Sequence, residues 1–185
     1  NSYVEKDACF GGTIGRCANR IGGARFAIDG TEYRVTPNEG VNCLHGGAEG
    51  FHKKLWDYVC RENSVTFIYE SPDGEEGFPG NLHVEVSYTL ENSTLTIDYR
   101  AVTDRDTVVN LTNHTYFNLK GSDGGYVMDH LLTVEADTSV QNNTHFCPDI
   151  LLPVDGSPFD FREPHRVDYR LDMPNRHLEI MHGMS

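Results

Sequence analysis

The sequence has no long hydrophobic run and no paired cysteine motif. No apolar stretch approaches the ~20 residues that a helix needs to cross a bilayer, so no membrane helix is predicted. The five cysteines are scattered, odd in number and without a C-x-x-C pair, which indicates neither a zinc cluster nor a disulfide framework. We expect free thiols in a reducing cytoplasm and a protein without a membrane partner.

Basic residues are also scarce. The chain has 15 lysines and arginines against 28 acidic residues, a net charge of −13. Such a field repels the phosphates of nucleic acids and anionic lipids, and it is compatible with a neutral ligand. The sequence therefore predicts a small-molecule partner and no nucleic acid.

Several catalytic signatures are missing. There is no G-x-S-x-G nucleophile elbow, and no phosphate loop ending in Gly-Lys-Ser/Thr. Nine histidines could suggest a metal site, but none has H-E-x-x-H or H-x-H spacing. A serine hydrolase, a nucleotide-binding enzyme and a metalloenzyme are all disfavoured.

Alternation of apolar and polar residues is the dominant pattern. It predicts many short strands and a mainly β, antiparallel sandwich or barrel, forming a single domain over residues 1–185. An Asp-Gly pair between two alternating segments indicates a β-hairpin. The predicted strands are Ala24–Asp29, Thr31–Val35, Ser64–Glu70, His83–Leu90, Thr94–Ala101, Thr107–Thr112 and Leu131–Ala136.

Three stretches combine glycine with polar side chains: Gly11–Gly23, Val41–Phe51 and Val109–Leu119. Glycine lets a ligand approach the backbone closely, while arginine and histidine side chains offer hydrogen-bond donors. Taken singly, a histidine beside glycines is more often a turn residue than a catalyst. The three stretches carry more weight together.

In their order along the chain, the motifs resemble the aldose 1-epimerase, or galactose mutarotase, family. The resemblance extends from about Gly11 to Arg162. The motifs that carry it are Gly15–Ile21 (GRCANRI), Asn42–Gly47 (NCLHGG), Ser71–Gly80 (SPDGEEGFPG), Asn110–Leu119 (NLTNHTYFNL), Val134–Val140 (VEADTSV) and Leu151–Arg162 (LLPVDGSPFDFR).

This resemblance implies the family's antiparallel supersandwich and its reaction, the interconversion of the α and β anomers of free hexoses such as galactose and glucose. It also implies that no metal or other cofactor takes part. His114 matches the acid that protonates the ring oxygen, a role suited to an imidazole with an ordinary pKa of ~6.5. The matching substrate-binding positions are Asn19, Arg20, His45, Thr115 and Tyr116.

An aromatic side chain often forms a platform under a bound sugar. The candidates near the motifs are Phe51, Phe78 and Tyr116, although most aromatic residues of such a fold belong to its core.

One departure from the family pattern concerns the second catalytic group. The family's general base is a glutamate in a later strand, and a Gly-Tyr/Phe-Asp-His motif also binds the sugar. Neither Glu135 nor Glu179 matches the base motif. The sequence therefore reads as an incomplete epimerase domain, also lacking the first strands, and we expect the 185-residue chain alone to be inactive or nearly so.

Two other functions remain open from the sequence. A non-catalytic carbohydrate-binding protein would keep Arg20 and His45 but would need no acid. A hexose-6-phosphate mutarotase would need a basic patch for the phosphate, for which Arg16, Arg20 and Arg25 are the local candidates.

Overall fold

A computed structural model describes residues 9–182 of the chain. These residues form two compact units, the first ending at Thr115 and the second beginning at Tyr116. The single domain over residues 1–185 stays a prediction. Within the described residues, no helix has both the length and the apolar character required to span a membrane.

The first unit consists of short antiparallel strands joined by tight turns. Three single-turn 3₁₀ segments cover Gly22–Ala24, Phe51–Lys53 and Glu75–Gly77. The strands are β1 Thr13–Ile14, β2 Arg20–Ile21, β3 Arg25–Ile28, β4 Thr31–Arg34, β5 Cys43–Leu44, β6 Asp57–Cys60, β7 Ser64–Ser71, β8 Leu82–Glu91, β9 Thr94–Thr103 and β10 Thr112–Asn113.

The largest sheet of this unit has four strands in the order β6-β7-β8-β9, all antiparallel. Along β8 the apolar residues Leu82, Val84 and Val86 point to one face, where they are 0–1% exposed and pack with Phe51. Burying side chains of this size stabilises the fold by about 1.5–3 kcal/mol each. The alternating sequence of β8 therefore builds one of the two cores of the unit.

The second core of the first unit lies under the β3–β4 hairpin. It contains the buried residues Ala24, Val35, Cys43 and Phe78. The hairpin turn, Asp29-Gly30, has positive φ angles of 48° and 79°, the conformation for which Asp-Gly is suited. β5, which enters this core through Cys43, pairs with β2 and so connects the core to the polar motifs.

The second unit contains the strands β11 Leu131–Leu132, β12 Thr138–Asn142, β13 Pro148–Pro153 and β14 His165–Arg166, and the helix α1 Arg176–His182. β11 pairs with β14 and β12 with β13, both antiparallel. Within it the Arg162 guanidinium donates hydrogen bonds to Asp137, Asp155 and Asp160, which connects the Leu151–Arg162 motif to Asp137 of the Val134–Val140 motif.

The mainly antiparallel β architecture and five of the predicted strands are confirmed, but two strand predictions are wrong in extent. Thr107–Thr112 contributes only the start of β10, because Asn110 makes a single parallel bridge with Cys17 rather than a ladder. Of the strand predicted at Leu131–Ala136, only the two residues of β11 are in a strand.

The sequence analysis also missed helix α1. The Asn175 side chain accepts hydrogen bonds from the backbone N–H groups of His177 and Leu178, at 2.9 and 3.3 Å, as an N-cap residue does. The Pro-Asn pair before a short apolar run was the available signal.

Candidate functional site

Two strand pairs of the first unit position three of the polar motifs. β2 pairs with β5, which sets Arg20 opposite Leu44 and next to the start of the His45 turn. β1 pairs with β10, and His114 follows β10 directly. The His114 backbone N–H donates to the Gly12 carbonyl at 3.0 Å, and the Gly11 N–H donates to the His114 carbonyl at 3.1 Å.

The imidazole rings of His45 and His114 meet edge to face. Their centroids are 5.2 Å apart and the rings are perpendicular. The backbone N–H of Asn19 donates to Nδ1 of His45 at 3.1 Å, and the His45 N–H donates back to the Asn19 carbonyl at 3.0 Å. Because Nδ1 is an acceptor in this arrangement, the proton of a neutral His45 ring lies on Nε2, which makes Nε2 a hydrogen-bond donor.

The Arg20 guanidinium is held by a carboxylate from the neighbouring turn. Nε and Nη2 of Arg20 donate to the two carboxylate oxygens of Glu39, both at 2.5 Å. The side chain of Arg20 is 10% exposed and that of Glu39 38%. A bidentate pair of this kind fixes the plane of the guanidinium as well as its position.

Three sequence motifs far apart in the chain thus supply a histidine pair and a clamped arginine, in the order typical of the family recognised above. The family model described as aldose 1-epimerase matches residues 1–177. The chain belongs to the aldose 1-epimerase family.

Named proteins of this family align with most of the chain. Galactose mutarotase of Sus scrofa is 42% identical over 181 residues, which cover 97% of this chain and 51% of the pig protein. Aldose 1-epimerase of Escherichia coli is 43% identical over 163 residues, 86% of this chain and 47% of the bacterial protein. The chain spans about half the length of the curated relatives it matches.

A solved structure of this family confirms the predicted fold class. Galactose 1-epimerase from Lactobacillus acidophilus superposes with a TM-score of 0.85 at 31% identity, covering 97% of this chain and 55% of the bacterial chain. The fold is therefore the antiparallel β-sandwich of the epimerases.

The turn that carries His45 requires glycine on its C-terminal side. Gly46 has a φ of +87°, and a Cβ built there would lie 1.8 Å from the carbonyl oxygen of Gly15. The next residue, Gly47, has a φ of +105° and faces the carboxylate of Glu76. That carboxylate accepts hydrogen bonds from the N–H groups of Ala48 and Glu49, both at 3.1 Å. Two glycines and one glutamate thereby set the path of the backbone beside His45.

Substituting Gly46 by alanine is expected to destabilise the first unit by about 3 kcal/mol or more, because the clash is with backbone and adds to the positive-φ cost. The Gly74→Ala variant is the matched control. Gly74 has a similar φ of +84° with nothing within 4 Å of its Cβ position, so it should cost only about 1–2 kcal/mol. Urea unfolding followed by the fluorescence of the single tryptophan, Trp56, measures both. Equal losses in the two variants would show that the Gly15 contact is unimportant.

The surroundings of His45 favour its neutral form. Burial lowers the pKa of His45 to about 4, and the charges of His114, His52 and Arg20 act in the same direction, while Glu39 opposes them. The ring is therefore neutral near pH 7, in agreement with the hydrogen bond that Nδ1 accepts. A neutral ring presents one hydrogen-bond donor, at Nε2.

We expect the His45 ring to stay neutral in an NMR titration until the pH approaches about 4. An unfolded histidine takes up its proton near pH ~6.5, so between these values the unfolded state binds more protons. The free energy of unfolding should therefore fall as the pH is lowered through this window. The His45→Gln variant identifies the resonance and should show a smaller fall. Protonation of His45 near its ordinary pKa would contradict the geometry.

The remaining predicted residues occupy different surroundings. Asn19 has a positive φ of 63° and connects to His45 through its backbone. The N–H of Thr115 donates to the Asn113 side chain at 2.9 Å, and Thr115 is exposed. Tyr116 is 65% exposed and belongs to the second unit. The platform suggested for Phe51 or Phe78 is wrong, because these rings are core residues, 2% and 0% exposed.

Sequence reasoning missed the residues that support the site. Asn38 donates to the carbonyls of Leu44 and Gly47, both at 2.9 Å, and accepts from the Leu44 N–H at 2.7 Å. Its neighbour Glu39 holds Arg20. The turn that contains these two residues thus fixes both the arginine and the histidine, and its only signal in the sequence was its position before the Asn42–Gly47 motif.

Within residues 9–182, no group of three or more histidine, cysteine, aspartate or glutamate side chains is arranged to hold a metal ion. A cavity of about 300 Å³ in the first unit is lined by Gly11, Gly12, Phe51, Trp56 and Tyr88 among others. Its lining does not include Arg20, His45 or His114. The candidate site lies at the histidine pair, because the donors of His45 and the clamped Arg20 come from the family motifs, whereas the cavity contains neither residue.

Proposed function

We propose that the site of Arg20, His45 and His114 binds a free hexose such as galactose or glucose and interconverts its α and β anomers. The observation that carries this proposal is the perpendicular contact of the two imidazoles, 5.2 Å apart, in a chain of the aldose 1-epimerase family. The relatives named galactose mutarotase and aldose 1-epimerase support the choice of a hexose.

Mutarotation needs a proton delivered to the ring oxygen and another removed from the anomeric hydroxyl. The ring then opens to the aldehyde, the C1–C2 bond rotates, and closure reverses both transfers. His114 supplies the first proton in this proposal, because it matches the family's acid position and its ring contacts that of His45. Backbone hydrogen bonds with Gly11 and Gly12 hold it in place. The remaining transfer requires a base, and no glutamate of this sequence matches the family's base motif.

His45 and Arg20 orient the sugar in this proposal. Neutral His45 donates from Nε2 to a sugar oxygen, and Asn19 fixes the tautomer that makes this possible. Glu39 fixes the orientation of the Arg20 guanidinium, which can stabilise negative charge that develops on a sugar oxygen during ring opening. Thr115 is proposed to line the same sugar site, by the family motif, and the substrate-binding role of Tyr116 stays a prediction of that motif.

Titration with galactose tests the proposal. Galactose should shift the NMR resonances of the His45 and His114 rings saturably in the 185-residue chain, and Arg20→Ala should weaken the affinity about tenfold or more. Arg34→Ala is the control, since Arg34 pairs with Glu32 on the surface, where its side chain is 77% exposed. Absence of any shift with galactose and with glucose would refute the proposed site.

A non-catalytic carbohydrate-binding role is the second candidate. It would use the donors of Arg20 and of the neutral His45 ring, whose geometry the structure describes, and it would need neither an acid nor a base. Saturable galactose binding without faster mutarotation would support it. A hexose-6-phosphate substrate is disfavoured, because Arg16 is 2% exposed inside the fold, Arg25 pairs with Glu32 and Arg20 pairs with Glu39. One arginine already paired with a carboxylate can orient a neutral sugar but is a weak partner for a doubly charged phosphate.

A cytoplasmic location completes the proposal. Cys17, Cys43, Cys60 and Cys147 are free thiols, as is usual for proteins of reducing compartments. Fractionation of cells that express the tagged chain would test it, and recovery from a secretory compartment would contradict it.

A further inference from the structure

The four-stranded sheet of the first unit ends in the long strand β9, an edge strand among the residues that the structure describes. β9 has ten residues and is hydrogen-bonded to β8, and no other strand within residues 9–182 pairs with it. Two of its apolar side chains are half exposed, Leu95 at 50% and Val102 at 53%. An edge of this length offers a row of backbone groups to a further strand.

The direction of these backbone groups follows from the ladder. Leu90 of β8 donates its N–H to Asn63, on the β7 side, so the odd-numbered residues of β8 bond to β9. These pair with the even-numbered residues of β9, as in Glu85 with Arg100 and Ser87 with Asp98. The odd-numbered residues of β9 therefore turn their N–H and C=O groups outward; they are Leu95, Ile97, Tyr99, Ala101 and Thr103.

β9 carries two charged residues of opposite sign, which could pair with those of a second copy of the strand. Asp98 and Arg100 flank Tyr99 and lie on the same face of the sheet, the face opposite the core residues of β8. If a second β9 runs antiparallel with Tyr99 at a twofold axis, Asp98 lies directly opposite the partner's Arg100, and Arg100 opposite the partner's Asp98. In the same register all five outward residues meet outward residues, which satisfies both backbones.

We infer that two copies of this chain associate through β9 in this register, forming one continuous sheet with the twofold axis at Tyr99. This inference is independent of the proposed sugar site. Charged residues usually keep edge strands apart, and here they select one arrangement. A parallel in-register pairing would set Asp98 against the partner's Asp98. The other edge of the sheet, β6, has only four residues and is less suited.

Sedimentation velocity from low micromolar to low millimolar concentration tests the inference. The unaltered chain should pass from monomer to dimer with increasing concentration. Asp98→Arg alone should raise the dissociation constant about tenfold or more, because it creates two pairs of like charges in the dimer. Arg100→Asp alone should have the same effect. The double variant Asp98→Arg/Arg100→Asp restores opposite charges and should recover most of the affinity.

Two further variants separate this interface from others. Glu62→Arg makes the same change of charge in the exposed turn between β6 and β7 and should leave the dimer intact. Ala101→Pro removes one outward N–H without breaking a bond to β8, and it should abolish the dimer while circular dichroism stays unchanged. A chain that stays monomeric at every concentration would overturn the inference. So would a dimer that tolerates both single charge reversals.

Discussion

Under the proposed function, replacing His114 by glutamine is expected to bring the mutarotation of α-galactose down to its rate in buffer, because an acid catalyst of this kind typically contributes about 10²–10⁴-fold. Glutamine keeps a hydrogen-bonding side chain of similar reach but cannot deliver a proton to the ring oxygen. Sugar binding should change little, because Arg20 and His45 remain in place. The expected result is thus a loss of rate at nearly constant affinity.

Polarimetry at high protein concentration measures the rate, and galactose-induced shifts of the His45 resonances measure the binding. His83→Gln is the matched control, since His83 pairs with Glu70 and Glu85 on the sheet face opposite the core. The rate of the unaltered chain is itself expected to be low, because the sequence offers no matching base. A His114→Gln variant that accelerates mutarotation as well as the unaltered chain would disprove the acid role.

How far the sequence predicts the fold depends on the range of the interactions. The β3–β4 and β8–β9 hairpins follow from alternation and a short turn, which are local. β10 does not, since its partner is β1, about a hundred residues away, where Thr13 lies opposite Asn113 and Ile14 opposite Thr112. A strand whose only partner is so distant carries no pattern that fixes its length.

The candidate site shows the same division. Its three principal side chains are predicted from the order of the family motifs, and the structure has Arg20, His45 and His114 in one unit. The supporting residues were not found, because the role of Glu39 depends on a turn of four residues that brings its carboxylate to Arg20. The neutral state of His45 likewise depends on burial and on charges from separate strands.

A buried arginine connects the Gly15–Ile21 motif to the Ser71–Gly80 loop. Arg16 is 2% exposed, and its guanidinium donates four hydrogen bonds of 2.9 Å, to the Ser71 hydroxyl and to the carbonyls of Ser71, Pro72 and Pro79. Burial lowers the pKa of Arg16, and the nearby Glu75 opposes this shift. Glu75 in turn accepts hydrogen bonds from Ser71 and from Tyr69, the latter at 2.7 Å.

This arrangement makes Arg16 a structural residue, although it stands four positions from Arg20. Arg16→Met is expected to lower the free energy of unfolding of the first unit by about 3–5 kcal/mol, because it leaves the Ser71 hydroxyl and the buried carbonyls of Ser71 and Pro79 without their donor. Arg16→Lys keeps the charge but cannot reach all four acceptors, so its loss should be smaller. Arg34→Met removes an arginine whose ion pair with Glu32 is exposed, and it should cost no more than about 1 kcal/mol.

Urea unfolding followed by Trp56 fluorescence gives these differences, since Trp56 packs against Phe51 and Tyr69 in the first unit. The order of stability should be unaltered chain and Arg34→Met, then Arg16→Lys, then Arg16→Met. The same order should appear in galactose affinity, because the segment held by Arg16 leads directly to Asn19 and Arg20. If Arg16→Met were as stable as Arg34→Met, the guanidinium network would not be what holds the loop to the site.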